Sequence, residues 1–280
     1  MNKSTVALSW TCCLCTVGQV VYMLPEGPPV HGVTSLADEV FLLRNKEQDQ
    51  LEVYDATTYR LQRCLSVPNC RGIIDMTSCE HYLCVYVSDD IDRCIHRLDS
   101  QGKAATQWPV NNEPRGLSVN KAHNLLVTCR YAHKIKEFST HGDLLHEITL
   151  PGDVIKPWHA IQLTSGQFVV CHGSLGHPVH RVCIISTDGR HIVHSHDRCN
   201  VPWHLAVDQN ECVYIADMFN RRVKLLSSTL GYIRAVVTGD SLKGEPNGLC
   251  LDAQAGRLYV ADNELKDDKY TAGRVVVFRV

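Results

Sequence analysis

Neither sign of charge dominates this chain: 28 Lys and Arg stand against 30 Asp and Glu, a net of −2 over 280 residues. That balance argues against a strongly basic nucleic-acid binder, although one basic face can sit inside a near-neutral total. Clusters of Lys and Arg are missing too, and so are heptads and the G-x-S-x-G, P-loop and H-E-x-x-H signatures. Their absence removes the usual sequence warrants for a coiled coil, a serine hydrolase, a nucleotide-binding loop or a zinc protease. One C-x-x-C occurs, Cys12 to Cys15, and no second Cys/His pair follows at zinc-finger spacing. The apolar stretch 6–24 is short and broken by Ser9, Thr11, Thr16, Gly18 and Gln19, which excludes a membrane span. With Lys3 ahead of it, the stretch reads either as a signal peptide or as a strand.

What the chain does contain is a phrase repeated six times, anchored at Gly32, Asp75, Gly116, His159, His204 and Gly248 with spacings of 43, 41, 43, 45 and 44 residues. A period of about 40 to 45 residues marks units that cannot bury their own apolar face and stack as four-stranded propeller blades. The expected fold is all-β, a six-bladed β-propeller of four-stranded antiparallel blades. Residues 16–280 form its single domain, and 1–15 form an N-terminal extension. Hydrophobic residues at 44% and charged residues at 21% suit one large core, and no linker interrupts the period. Innermost strands are read from Val33, Met76, Leu117, Ala160, Leu205 and Leu249. Second strands such as C-V-Y-V-S-D and V-Y-I-A-D carry the β-branched and aromatic residues of a buried pleat. Because the sixth repeat reaches Val280 after three strands, residues 19–24 (Q-V-V-Y-M-L) are expected to pair with the last blade and close the ring.

Fourteen cysteines would allow disulfides, but Cys79, Cys129, Cys171, Cys183 and Cys250 fall inside strands, as buried thiols do. Asp143 after Gly142, and Asp188 before Gly189, mark turns between third and fourth strands. Fifteen histidines, several between His172 and His196, would make binding sensitive to pH or would simply be solvated loop residues. Stretches 173–180 and 264–271 lengthen two turns and are secondary contact candidates.

Residues 202–208 (P-W-H-L-A-V-D), V-Y-I-A-D at 213–217 and Asn220-Arg221-Arg222-Val223 resemble an NHL repeat. A second match is Pro246-Asn247-Gly248-Leu249 with Y-V-A-D at 259–262, and a third, partial one is Pro114-Arg115-Gly116-Leu117. His159 and His204 depart from that pattern at its glycine. Asn45, Cys129 and His172 depart from it at the aspartate found as Asp89, Asp217 and Asp262. The resemblance implies a structural, turn-forming aspartate and a binding function. NHL propellers are similar to the recognition modules of tripartite-motif ubiquitin ligases, which take up protein or RNA on one face. No RING, B-box or coiled coil accompanies the repeats here, so ligase activity would belong to another subunit.

The candidate binding residues precede or occupy the anchors: His31, Arg115, Trp158, His159, Trp203, His204 and Asn247. Trp and Arg contribute disproportionately to interfaces, whereas the bland reading of Trp158 and Trp203 is that they cap the core. A protein partner is the leading expectation. RNA stacking on the tryptophans, with phosphates at Arg71, Arg115 or Lys156, is the second. A membrane and DNA are not expected, the expected location is cytoplasmic, and no cofactor or catalytic residue is assigned. The enzymatic alternative rests on six-bladed rings that resemble a zinc-dependent amidating lyase or metal-dependent lactonases, with Asp75, His159 and His204 as the metal set. The lyase's three histidines do not map onto this sequence, where only His31 stands just before an anchor.

Overall fold

Six antiparallel sheets of four strands follow one another in the computed structural model, which describes residues 18–44, 50–103, 105–173, 179–196, 198–267 and 269–280. The innermost strands are Val30–Leu36, Ile73–Cys79, Pro114–Val119, Pro157–Gln162, Pro202–Val207 and Glu245–Asp252, and they define blades 1 to 6. Blades 1 to 5 wind outward in chain order. Blade 6 takes its outermost strand from the far end of the sequence: Gln19–Met23 runs antiparallel to Lys269–Arg279, with Gln19 opposite Arg279 and Met23 opposite Val276. The expected closure is therefore present, and it covers the edge that the last blade would otherwise leave open. The extension 1–15, with Cys12 to Cys15 and the signal-peptide reading, lies outside the described residues, as does Asn45. No helix of the described residues is long and apolar enough to cross a membrane.

Alternation along each strand sends one set of apolar residues to each neighbouring blade. The buried core accordingly consists of six clusters, one per blade interface. Val33 and Leu42 of blade 1 meet Tyr259 and Val275 of blade 6, and Ile161 and Val169 of blade 4 meet Leu205 and Ile215 of blade 5. No blade has a core of its own, which explains why the repeats come as a ring.

The innermost strands begin three or four residues earlier than the sequence suggests, and the reason is a shared irregularity. In every blade the pairing with the second strand slips just after the strand begins: Val30 faces Arg44 but Gly32 faces Leu43, and Pro157 faces His172 but His159 faces Cys171. Blades 2, 3, 5 and 6 slip at the same place. His31, Ile74, Arg115, Trp158, Trp203 and Asn247 stand in these bulges rather than in loops. A bulge adds a residue and re-aims its side chain.

The anchor following each bulge lies close to the next blade. A Cβ on Gly116 would stand 2.5 Å from the Trp158 carbonyl oxygen and 2.7 Å from His159 Cα, both of them backbone, whereas one on Gly248 would meet Ala261 Cβ at 3.2 Å. Gly116→Ala is expected to destabilise by about 1–3 kcal/mol, and Gly248→Ala by clearly less. Urea unfolding midpoints of the two variants check the order.

Candidate functional site

At the end of the ring where the innermost strands begin, the six bulge residues converge. His31, Ile74, Arg115, Trp158, Trp203 and Asn247 line a cavity of about 110 Å³, with Asp75, His159 and His204 beneath them and Tyr270 at the side. All seven residues expected to bind are thus brought to one mouth. They are not equally available. Asn247, Trp158 and His159 are buried, His204 nearly as much, and His31, Arg115 and Trp203 are half-buried.

Trp158 belongs to the core between blades 4 and 5, and its indole N–H donates to the Gly173 carbonyl at 3.0 Å. Trp203 stacks on it with ring centroids 3.7 Å apart. Arg130, at the end of the second strand of blade 3, lies over the other side of the ring system, 3.2 Å from the Trp158 centroid. The guanidinium, Trp158 and Trp203 form one stack. Burial first pulls the Arg130 pKa down to about 10, the charge of Arg115 adds to that, and Tyr131 opposes it. Arg130 and Tyr270 are the mouth residues that the sequence pattern does not mark. Tyr270 arrives on the hairpin formed by Arg257–Lys266 and Lys269–Arg279, which is what the long turn at 264–271 becomes, and its hydroxyl contacts Met218 Sδ at 3.4 Å.

Beneath the mouth, Asp75, His159 and His204 plug the axis. His204 Nε2 is 3.5 Å from Asp75 Oδ1, His159 Nε2 is 3.9 Å from Oδ2, and the two imidazole centroids are 3.9 Å apart. The carboxylate already accepts the Met76 N–H at Oδ1 (2.8 Å) and the Leu117 N–H at Oδ2 (2.9 Å). His159 Nε2 lies 2.9 Å from the Leu117 carbonyl, and a carbonyl only accepts, so that nitrogen carries the proton. Burial, then the neighbouring His204, push the His159 pKa down to about 3, with Asp75 opposing. His31 is lowered by burial in the same way, again against the pull of Asp75. Below the plug a wider channel of about 720 Å³ opens toward the other end of the ring. Polar contacts such as Thr34 Oγ1 to Ser78 Oγ, 2.8 Å, link neighbouring blades along it.

Each innermost strand runs away from the mouth and each second strand returns, so the turns between second and third strands surround it. Exposed apolar side chains sit at equivalent places in three of these turns: Ile91 is 57% exposed, Tyr131 53% and Phe219 36%. Three arginines on the same face are held by acids. Arg71 bonds Asp92, Arg115 lies 2.9 Å from Asp90, and Arg93 lies 3.4 Å from Glu113.

No family model and no curated protein matches the chain. Among solved structures it is similar to a streptogramin B lyase, with a TM-score of 0.65 and 13% identity over 92% of this chain and 87% of that one. Virginiamycin B lyase from Staphylococcus aureus gives 0.64 and 10%, over 91% and 99%. A chain of the nidogen/laminin complex gives 0.65 and 11%, over 79% and 84%. Likeness at these identities extends to the architecture alone, and on it the chain is a six-bladed β-propeller.

Proposed function

We propose that this propeller is a non-catalytic recognition module that takes a protein partner on the mouth face. The observation that carries the reading is the apolar rim of Ile91, Tyr131 and Phe219 around the Trp203–Trp158–Arg130 stack. Exposed aromatic and apolar groups beside a stacked Trp and Arg are the composition of protein-interface hot spots. An RNA partner would need cations free to meet phosphates, and Arg71, Arg93 and Arg115 are engaged by Asp92, Glu113 and Asp90. The NHL resemblance favours the same module, acting as the substrate-recognition part of a ubiquitin-ligase-type assembly.

The metal-dependent alternative would place an ion among Asp75, His159 and His204, and the donors fit it poorly. The nitrogens that converge on Asp75 are the two Nε2 atoms, one of which commits its proton to Leu117, and both carboxylate oxygens already accept backbone N–H groups. This set is better suited to holding blades 2 to 5 together at the axis.

The test is affinity capture from lysate, with and without ribonuclease, comparing the native chain with an Ile91→Asp, Tyr131→Ala, Phe219→Ala variant. These side chains are exposed, so the fold is expected to survive, and circular dichroism verifies that. The expected result is a ribonuclease-resistant partner whose affinity falls at least about 100-fold in the variant, equivalent to about 3 kcal/mol. Capture lost to ribonuclease would replace this reading with RNA binding, and a partner indifferent to the variant would rule out this face.

A further inference from the structure

We propose that blade 4 holds a transition-metal site of the zinc class, with His172, Cys183 and His194 as its protein ligands. The three come from adjacent strands, Phe168–His172, Arg181–Ile185 and Ile192–His194, and each offers a ligand atom within 4.8 Å of the others. The pairing register aims them to one side of the sheet. Cys183 lies opposite Val170, two residues before His172, and His194 lies opposite Cys183.

Comparison with the other blades shows what is unusual here. In blades 1 to 5 the last residue of the second strand and the third-strand residue opposite the position two before it form the same layer. In blade 1 these are Arg44 and Glu52, paired at 2.8 Å, and in blade 5 Asp217 and Lys224, paired at 3.3 Å. In blade 3 Lys136 takes Glu147 at 3.4 Å, whereas blade 6 carries Val276 at the third-strand position and pairs Asp262 with Arg274 directly opposite, at 2.9 Å. Blade 2 places His96 3.7 Å from Asp89, whose oxygens also accept three backbone N–H groups. Blade 4 substitutes two imidazoles and a thiol.

Those groups are left unsatisfied. His172 is fully buried and neither of its ring nitrogens has a hydrogen-bond partner. Cys183 is fully buried and reaches only the Val170 carbonyl, at 3.7 Å. His194 turns Nε2 toward Asp153 Oδ2, 3.3 Å away, and leaves Nδ1 buried and unpartnered. A carboxylate on one imidazole nitrogen fixes the tautomer and presents the other nitrogen to an ion, the usual support of a metal-ligating histidine.

Two nitrogens and one sulfur suit a borderline-soft ion such as Zn²⁺, and three protein ligands leave a fourth position for water or an incoming donor. Tetrahedral bond lengths would bring the donors to about 3.4–3.6 Å from one another, a contraction of no more than about 1.4 Å from separations that all lie within 4.8 Å. Of the three ligands, His194 lines a surface depression of about 700 Å³ together with His180, His196 and Cys199. On binding, the Cys183 thiol exchanges its proton for the metal, so one proton is released per ion and no electron moves.

The experiment is titration of chelator-treated full-length protein with Co²⁺ and Zn²⁺, followed by absorbance, proton release and elemental analysis. One equivalent of Co²⁺ is expected to produce a thiolate-to-cobalt charge-transfer band that Zn²⁺ abolishes. Cys183→Ala removes the band. Asp153→Asn, at an exposed carboxylate and safe for the fold, weakens Zn²⁺ affinity about 10- to 100-fold. His204→Gln at the axis leaves band and stoichiometry unchanged. A wild-type chain that takes up no ion, a spectrum without sulfur ligation, a band that persists in Cys183→Ala, or a band lost in His204→Gln would each overturn the assignment.

Discussion

Asp217→Ala is expected to destabilise the propeller by about 3–5 kcal/mol, the loss typical of breaking one side of a buried ion pair. Asp217 is fully buried at the end of the second strand of blade 5. One oxygen accepts the Asn200 N–H at 2.7 Å, and the other receives Arg222 Nε at 2.7 Å and Asn220 Nδ2 at 2.9 Å and lies 3.3 Å from Lys224 Nζ. Arg222 is partly exposed and can turn to water, but Lys224 is buried and cannot. The same ammonium lies near the Arg198 carbonyl and Cys199 Sγ. Removing the carboxylate therefore takes away a countercharge 3.3 Å from a buried cation as well as deleting hydrogen bonds. The diagnostic comparison is Asp217→Ala with Lys224→Met: the double variant is expected to be more stable than Asp217→Ala alone, because the buried cation that lost the Asp217 countercharge is gone. Denaturant unfolding of the four-member cycle measures this. A loss below about 1 kcal/mol for Asp217→Ala, or no recovery in the double variant, would show that the buried carboxylate contributes little through the Lys224 pair.

The same residue illustrates how far sequence pattern reaches. The NHL resemblance implies that Asp89, Asp217 and Asp262 are structural, and each accepts a backbone N–H from the segment leading into its own innermost strand: Arg71 at 2.7 Å, Asn200 at 2.7 Å and Lys243 at 2.9 Å. That geometry repeats with the period, so it is legible. In blade 1 the pattern points to Asn45, whereas strand pairing makes Arg44, opposite Val30, the equivalent residue. Its cation bonds Glu52 and the carbonyls of Pro25, Pro28 and Gly273, tying blade 1 to the closure of blade 6. A one-residue difference in blade length hid it. The mouth was legible because its members share one offset from the anchors, although the bulges that aim them leave no composition signal. Arg130 was not, because its partner Trp158 comes from the next blade and no repeat position connects the two. Nor was the blade 4 cluster, whose sequence reads as a buried thiol, a histidine at the repeat's aspartate position, and histidines that either make binding pH-sensitive or are solvated loop residues. Its spacing of eleven residues twice over, 172 to 183 to 194, is set by hairpin length and matches no short metal motif.

Acid is expected to weaken the native ring through His159 before most carboxylates are protonated. The folded-state pKa of about 3 lies well below the ordinary histidine value near 6.5, so between these values the unfolded chain binds a proton that the native one refuses. Stability from this residue is complete above about pH 6.5 and is lost progressively as pH falls toward about 3. At pH 4.5 the difference of about two pH units below the unfolded value corresponds to about 2–3 kcal/mol. The physical cause is location. His159 is enclosed between Gly116 and His204, its Nε2 proton is given to the Leu117 carbonyl, and a second proton would have to sit on Nδ1, which is buried without a partner. Asp75 offers a countercharge at 3.9 Å, yet both its oxygens are already shared with backbone N–H groups and with His204. A His159→Gln variant isolates the effect, since the carboxylates and the other histidines are common to both proteins. Unfolding free energies at pH 7.5 and 4.5 should fall by about 2–3 kcal/mol more in the native chain than in the variant, whatever the variant's stability at pH 7.5. Parallel losses would mean that His159 takes up its proton without opening the axis, and that the Asp75–His159–His204 plug tolerates charge.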